Sequence, residues 1–172
     1  MSGVRTVWRL GSFAWRAGVG AVALVAFLVG IGVRGVAAQT PVRAIRSVPV
    51  TEKAVALTFD DGPDPVYTPQ VLSVLQANGA KATFFLIGVQ LLRYADLARQ
   101  EAQAGMELGN HGDHHLSLVG LDPTAIQSEV LPVEREITAI TGSRPVLYRL
   151  PKGRGDARGL RTLADMGYTI VY

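Results

Sequence analysis

The chain has 172 residues, no cysteine and a formal net charge of +3. That length suits one ordinary domain, and the lack of thiols excludes disulfides and thiolate metal sites, so any metal ligands must be histidine or carboxylate. The positive charge belongs to the first 38 residues: all 14 acids lie after Ala38 with 13 of the 17 bases, leaving −1 and no basic stripe interleaved with aromatics, which argues against a nucleic-acid partner.

In chain order, Ala17 to Val33 is a run of 17 residues with no charged side chain, preceded by Arg5, Arg9 and Arg16 and followed by "GVAAQT". This reads as a signal peptide cleaved after Ala38, or as a retained membrane anchor, a choice that Arg34 in the cleavage region tilts towards the anchor. Either reading implies export, so the expected location is extracytoplasmic. Residues 39–51, with Pro41 and Pro49 and no helical period, read as a linker, and residues 52–172 as the folded domain. Ala54 to Phe59 is expected as a buried strand. Thr68 is expected to cap a helix that Gly79 ends. Ala82 to Ile87 reads as a second strand, Gln90 to Ala104 as one helix, and Met106 to Leu108 as a short strand. Asp122-Pro123 opens a long helix that ends at Gly142, with a kink or break expected at Pro132. Val146 to Tyr148 is a strand, Arg158 to Met166 a helix, and Thr169 to Tyr172 a further strand. Strands that alternate with helices imply parallel pairing with helical crossovers.

The polar clusters fall just past the strand ends, which share one rim in a parallel barrel. All three histidines lie in "NHGDHHLSL", and His111 and His115 are four apart, a spacing that can bring two imidazoles to one ion or can be a polar surface loop. Asp60 and Asp61 adjoin in "DDGPDP". One could complete a His-His-Asp shell, the open three-ligand pattern of catalytic zinc, while the other takes a proton from water; the inert alternative is an exposed charged turn. In "YRLPKG", Arg149 could clamp a carboxylate, oriented and ionised, and the loop's backbone N–H groups could face an oxyanion, or the segment is surface.

Taken together, "TFDDGP" (Thr58 to Pro63), "HGDHH" (His111 to His115) and "RLPKG" (Arg149 to Gly153), in that order, resemble the polysaccharide deacetylase family, the NodB-homology domain or carbohydrate esterase family 4. "GNH" and "ITGSRP" are similar to it too, and the likeness covers about Glu52 to Tyr172. The resemblance implies a distorted (β/α) barrel. It implies Asp60 as base, Asp61, His111 and His115 as metal ligands, Arg149 steadying the base, and the Lys152 backbone N–H facing the oxyanion. The cofactor implied is a divalent metal ion, Zn2+ first, with Co2+ or another ion as alternatives. The partner implied is a polysaccharide containing N-acetylglucosamine, of peptidoglycan or chitin type, from which acetyl groups are removed.

The match has departures. Gly112 stands where the family usually has Ser or Thr, so a loop-bracing hydroxyl is missing. Lys152 stands where Tyr is usual, and His114 is extra, read as loop or solvent rather than ligand. No Trp follows Trp15 and no His follows His115, so the later Asp/Trp and Leu-x-His motifs are absent. The expectation is an incomplete barrel with five strands after the linker and about two fewer than the family. Two alternatives to the deacetylase follow: a catalytically impaired remnant that binds metal or glycan, and an acetyl-xylan esterase using the same site.

Overall fold

Parallel pairing is what a chain of alternating strands and helices demands, and a computed structural model, which describes residues 40–172, has it throughout. Strands β1 (Arg43–Ile45), β2 (Thr58–Gly62), β3 (Thr83–Leu86), β4 (Glu107–Asn110), β5 (Leu147–Arg149) and β6 (Thr169–Val171) form one sheet in the order β1-β6-β5-β4-β3-β2. Every neighbouring pair is parallel. The sheet is an open arc with β1 and β2 at its edges, as an incomplete barrel requires. The connecting helices are α1 (Tyr67–Ala77), α2 (Gly88–Arg93), α3 (Ala95–Gln103), α4 (Pro123–Thr141) and α5 (Ala157–Asp165). The expected N-terminal hydrophobic helix lies outside the described residues. Among those residues no helix is long and apolar enough to cross a membrane.

Helix α4 ties two apolar clusters together. Val133 and Ile137 join Leu72 and Leu75 of α1, Phe84 and Leu86 of β3, and Leu108 of β4. One and two turns earlier, Ile126 and Val130 join Tyr148 of β5, Leu163 of α5 and Ile170 of β6. These positions are one helical stripe, and fully burying each such aliphatic side chain contributes roughly 1.5–3 kcal/mol. Phe85 projects to the other face of β3, fully buried. Its ring lies across Gly109 of β4, where an added Cβ would fall 2.6 Å from the ring, so only glycine lets the aromatic lie flat there.

Several boundaries differ from the expected ones, each for a local reason. The expected linker contains β1, whose partner β6 is remote in sequence. β2 starts at Thr58 rather than Ala54, because its one neighbour, β3, begins only at Thr83, the partner of Thr58; residues 54–57 are exposed. Thr68 does not cap α1. Asp64 takes that part, its carboxylate accepting from the Val66 and Tyr67 N–H groups, while Thr68 Oγ1 accepts from the Asp64 N–H. The single helix expected over 90–104 is two, broken at Tyr94 (φ −130°, ψ 39°) with no Gly or Pro to announce it. α4 runs unbroken through Pro132. The carbonyl that proline orphans is that of Ser128, an exposed residue where water can satisfy it, and the buried stripe on either side holds the helix together. The Asp122 cap and the left-handed Gly142 end stand where the sequence puts them.

Candidate active site at the carboxyl ends of the strands

Three strand ends meet at one rim. β2 contributes Asp60 and Asp61, β4 leads directly into His111, and β5 ends in Arg149. Two adjacent strand residues would normally face opposite ways. Here the register with β3 slips: Asp60 pairs with Phe85 and Gly62 with Leu86, leaving Asp61 as the extra residue of a bulge at φ 68°. A bulge re-aims a side chain, and this one turns Asp61 towards the histidines while Asp60 keeps its strand direction towards Arg149.

The carboxylate of Asp61 lies 3.4 Å from His111 Nε2 and 3.4 Å from His115 Nε2. One ligand atom from each of the three residues lies within 4.8 Å of the others. His111 is 3% exposed, and its Nδ1 donates to the Arg149 carbonyl at 2.8 Å. That bond assigns the proton to Nδ1 and leaves the Nε2 lone pair facing Asp61, the tautomer a metal ligand needs. Burial lowers the His111 pKa from its ordinary 6.5, against the opposing pull of that carbonyl and of Asp60, so the neutral, ligating form is favoured. One carboxylate and two imidazoles are a donor set that suits zinc and similar divalent ions, and three protein ligands leave a coordination position open.

Asp60 stays outside this triad. Arg149 Nη1 donates to Asp60 Oδ1 at 2.8 Å and to Thr58 Oγ1 at 2.8 Å. The guanidinium carbon sits 4.3 Å from the centre of the Phe85 ring, a cation–π platform that fixes it from below. Lys152 lies in the short 3-10 turn Pro151–Gly153 at φ 57°. The turn's two hydrogen bonds come from Gly153 and Arg154, and neither uses the Lys152 N–H. Among the described residues the non-glycine positions with positive φ are Asp61, His115 and Lys152, all three at this rim. Such conformations persist where the surroundings over-determine them, and they gather at functional sites. Thr58, Asp60, Asp61, His111, His115, Arg149, Lys152 and Tyr172 line a cleft of about 550 Å³.

The six site residues that the resemblance implies, Asp60, Asp61, His111, His115, Arg149 and Lys152, thus line one cleft. His114 does not join the triad, but it is not free in solvent either: its Nδ1 lies 3.0 Å from Glu129 Oε1. Sequence reasoning missed Thr58 and Phe85 as supports of Arg149, and Glu129 altogether. Glu129 had a signal, since it falls on the buried stripe of α4 with Ile126, Val130 and Val133, where an acid needs a partner.

Residues 47–171 match the family model described as polysaccharide deacetylase. The chain is 38% identical over 124 residues to a peptidoglycan-N-acetylglucosamine deacetylase of Bacillus cereus, a match that covers 72% of this chain and 58% of that protein. It is 35% identical over 136 residues to a chitin deacetylase of a Pestalotiopsis species, covering 77% of this chain and 45% of that protein. Among solved structures, a peptidoglycan N-acetylglucosamine deacetylase in complex with 4-naphthalen-1-yl-N-oxidanyl-benzamide superposes with a TM-score of 0.71 at 30% identity, covering 76% of this chain and 60% of that one. The chain therefore spans about half the length of these curated relatives.

Proposed function

The chain belongs to the polysaccharide deacetylase family, and on that premise we propose that it is a metal-dependent hydrolase that removes acetyl groups from the N-acetylated sugars of a polysaccharide, of peptidoglycan or chitin type. We place its action outside the cytoplasm, where the leader read from residues 1–38 would deliver it. One observation carries the reading: Asp61, His111 and His115 offer three ligand atoms within 4.8 Å of one another, and a separate carboxylate, Asp60, is held beside them by Arg149.

Asp61, His111 and His115 would hold the ion, with Zn2+ as the first candidate and Co2+ or another divalent ion as alternatives. Bound there, the cation would supply Lewis acidity to the acetyl carbonyl and to the attacking water. Asp60 takes the proton from that water as general base. Arg149 keeps the Asp60 carboxylate aimed by a charge-assisted hydrogen bond and is itself fixed by Thr58 and Phe85. As the carbonyl becomes tetrahedral, negative charge grows on its oxygen, and the Lys152 N–H, free of the turn's own hydrogen bonds, is the backbone donor assigned to it. Collapse then breaks the C–N bond, and the proton that Asp60 took from water is the one returned to the departing sugar amine, leaving acetate.

The test is acetate release from N-acetylglucosamine oligomers and from peptidoglycan by the Zn2+-loaded chain, with and without chelator. Release that chelator abolishes and Zn2+ restores is the expected outcome. Stoichiometric metal uptake with no release from either substrate would sink the activity while leaving the metal site standing.

A further inference from the structure

We propose that Glu129 is a positioning residue, acting from α4 to hold the His111–His115 loop in its ligating geometry. The inference rests on reading Asp61, His111 and His115 as a metal site.

The loop has almost no internal structure, and its shape is imposed from outside. The Gly88 and Val89 N–H groups at the start of α2 donate to the carbonyls of Gly112 (3.1 Å) and Asp113 (3.1 Å). The Asn110 side chain accepts from the Gly112 N–H at 2.9 Å and donates to the Val130 carbonyl of α4 at 2.9 Å. One residue earlier on α4, Glu129 accepts from the His114 N–H through Oε2 at 2.9 Å and meets His114 Nδ1 through Oε1 at 3.0 Å. Two consecutive residues of one helix therefore grip both ends of the loop.

Glu129 is 6% exposed, so its carboxylate relies on these bonds, and bonds to an ionised acceptor are strong and directional. The residue after its backbone donor is His115, which sits at φ 56°. A non-glycine residue stays in that region only where its neighbours fix it. Position 112 cannot supply a brace from within the loop. It is glycine at φ 81°, and an added Cβ would already lie 3.3 Å from the Tyr148 hydroxyl and 3.5 Å from Glu129 Oε2. The loop is braced instead by an acid reaching in from the adjacent helix.

Zn2+ affinity of the full chain, measured by calorimetry, tests this, together with the visible spectrum of the Co2+ form and the thermal stability of the metal-free form. Groups that orient ligands without touching the ion are typically worth about 10–100-fold in affinity. Glu129→Ala is expected to weaken Zn2+ binding by about that factor and to change the Co2+ spectrum. Glu129→Gln keeps an acceptor for the His114 N–H and should retain most of the affinity. His114→Ala loses only the ring contact and should cost a few-fold, a reading that survives if Glu129→Ala fails to fold. Ile137→Ala, which loosens α4 two turns beyond the loop contacts, should lower thermal stability and leave Zn2+ affinity alone. Wild-type affinity and spectrum in Glu129→Ala, or in His114→Ala where Glu129→Ala does not fold, would overturn the brace, as would an equal loss in Ile137→Ala. No Zn2+ uptake by the wild type would overturn the site and the brace together.

Discussion

The carboxylate side of the cleft and its imidazole side are held in different ways. Asp60 and Asp61 belong to β2, an edge strand paired on one side only, and the Asp61 side chain is 63% exposed. His111 follows β4, which has a strand on each side, α4 against it, and a following loop tied to α2 and α4 by hydrogen bonds. The imidazole side is a preformed seat, whereas the carboxylate side depends on one bulge and one arginine. Arg149 joins the two sides with different groups: its carbonyl holds His111, and its guanidinium holds Asp60. Ligand placement and proton transfer are therefore separable by mutation.

The largest expected effect comes from Asp60→Asn. If Asp60 is the base and no ligand, acetate release should fall by about 10²–10⁴-fold while Zn2+ affinity is unchanged. A parallel loss of affinity would show that both aspartates share the ion and that the two sides are not separable. Next, Asp61→Asn and His111→Ala should each weaken Zn2+ binding by more than about 10-fold, the lower bound for even an indirect contact. Their metal-free forms should differ. Removing the buried, hydrogen-bonded His111 should cost about 1–3 kcal/mol in denaturant unfolding, and changing the exposed Asp61 should stay within about 0.5 kcal/mol. Equal costs would erase the contrast. Arg149→Lys keeps the charge but loses the planar group that lies over Phe85 and bonds Asp60 and Thr58 together, so kcat should drop by roughly 10-fold, about 1.4 kcal/mol, with Zn2+ affinity intact because the backbone carbonyl remains.

How much of this was readable beforehand follows the same divide. The residues that line the cleft were visible because their types are scarce and adjacent: three histidines in five positions, two aspartates before Gly62-Pro63, one arginine before a tight loop. The bulge that lets Asp60 and Asp61 serve one cleft was not readable, because it depends on register with β3 and not on any local motif. The strand at Arg43–Ile45 was hidden for the same reason, since all its pairing is with β6 across most of the chain. Pro132 misled in the opposite direction. A local breaker lost to the packing of α4 on two clusters at once.

The smallest expected effect tests why the imidazole side is firm. Burial alone does not make a polar group firm; partnering does. Glu101 on α3 is 0% exposed, and neither carboxylate oxygen has a hydrogen-bond partner among the described residues, whereas the buried Glu129 has two bonds. Burial accordingly pushes the Glu101 carboxyl from 4.5 up to about 8. An acid whose folded pKa is raised binds its proton more tightly when folded. Its contribution to stability is fully present below pH 4.5 and is lost as pH rises towards 8. Glu101→Met should therefore stabilise the chain by about 1 kcal/mol at neutral pH, the gain growing between those two pH values and flattening above them. Glu129→Met should do the reverse, because it strands the His114 N–H. If Glu101→Met destabilises at neutral pH, the carboxyl is partnered after all, and the distinction between buried groups that support the cleft and those that merely lie in the core would have to be drawn on other grounds.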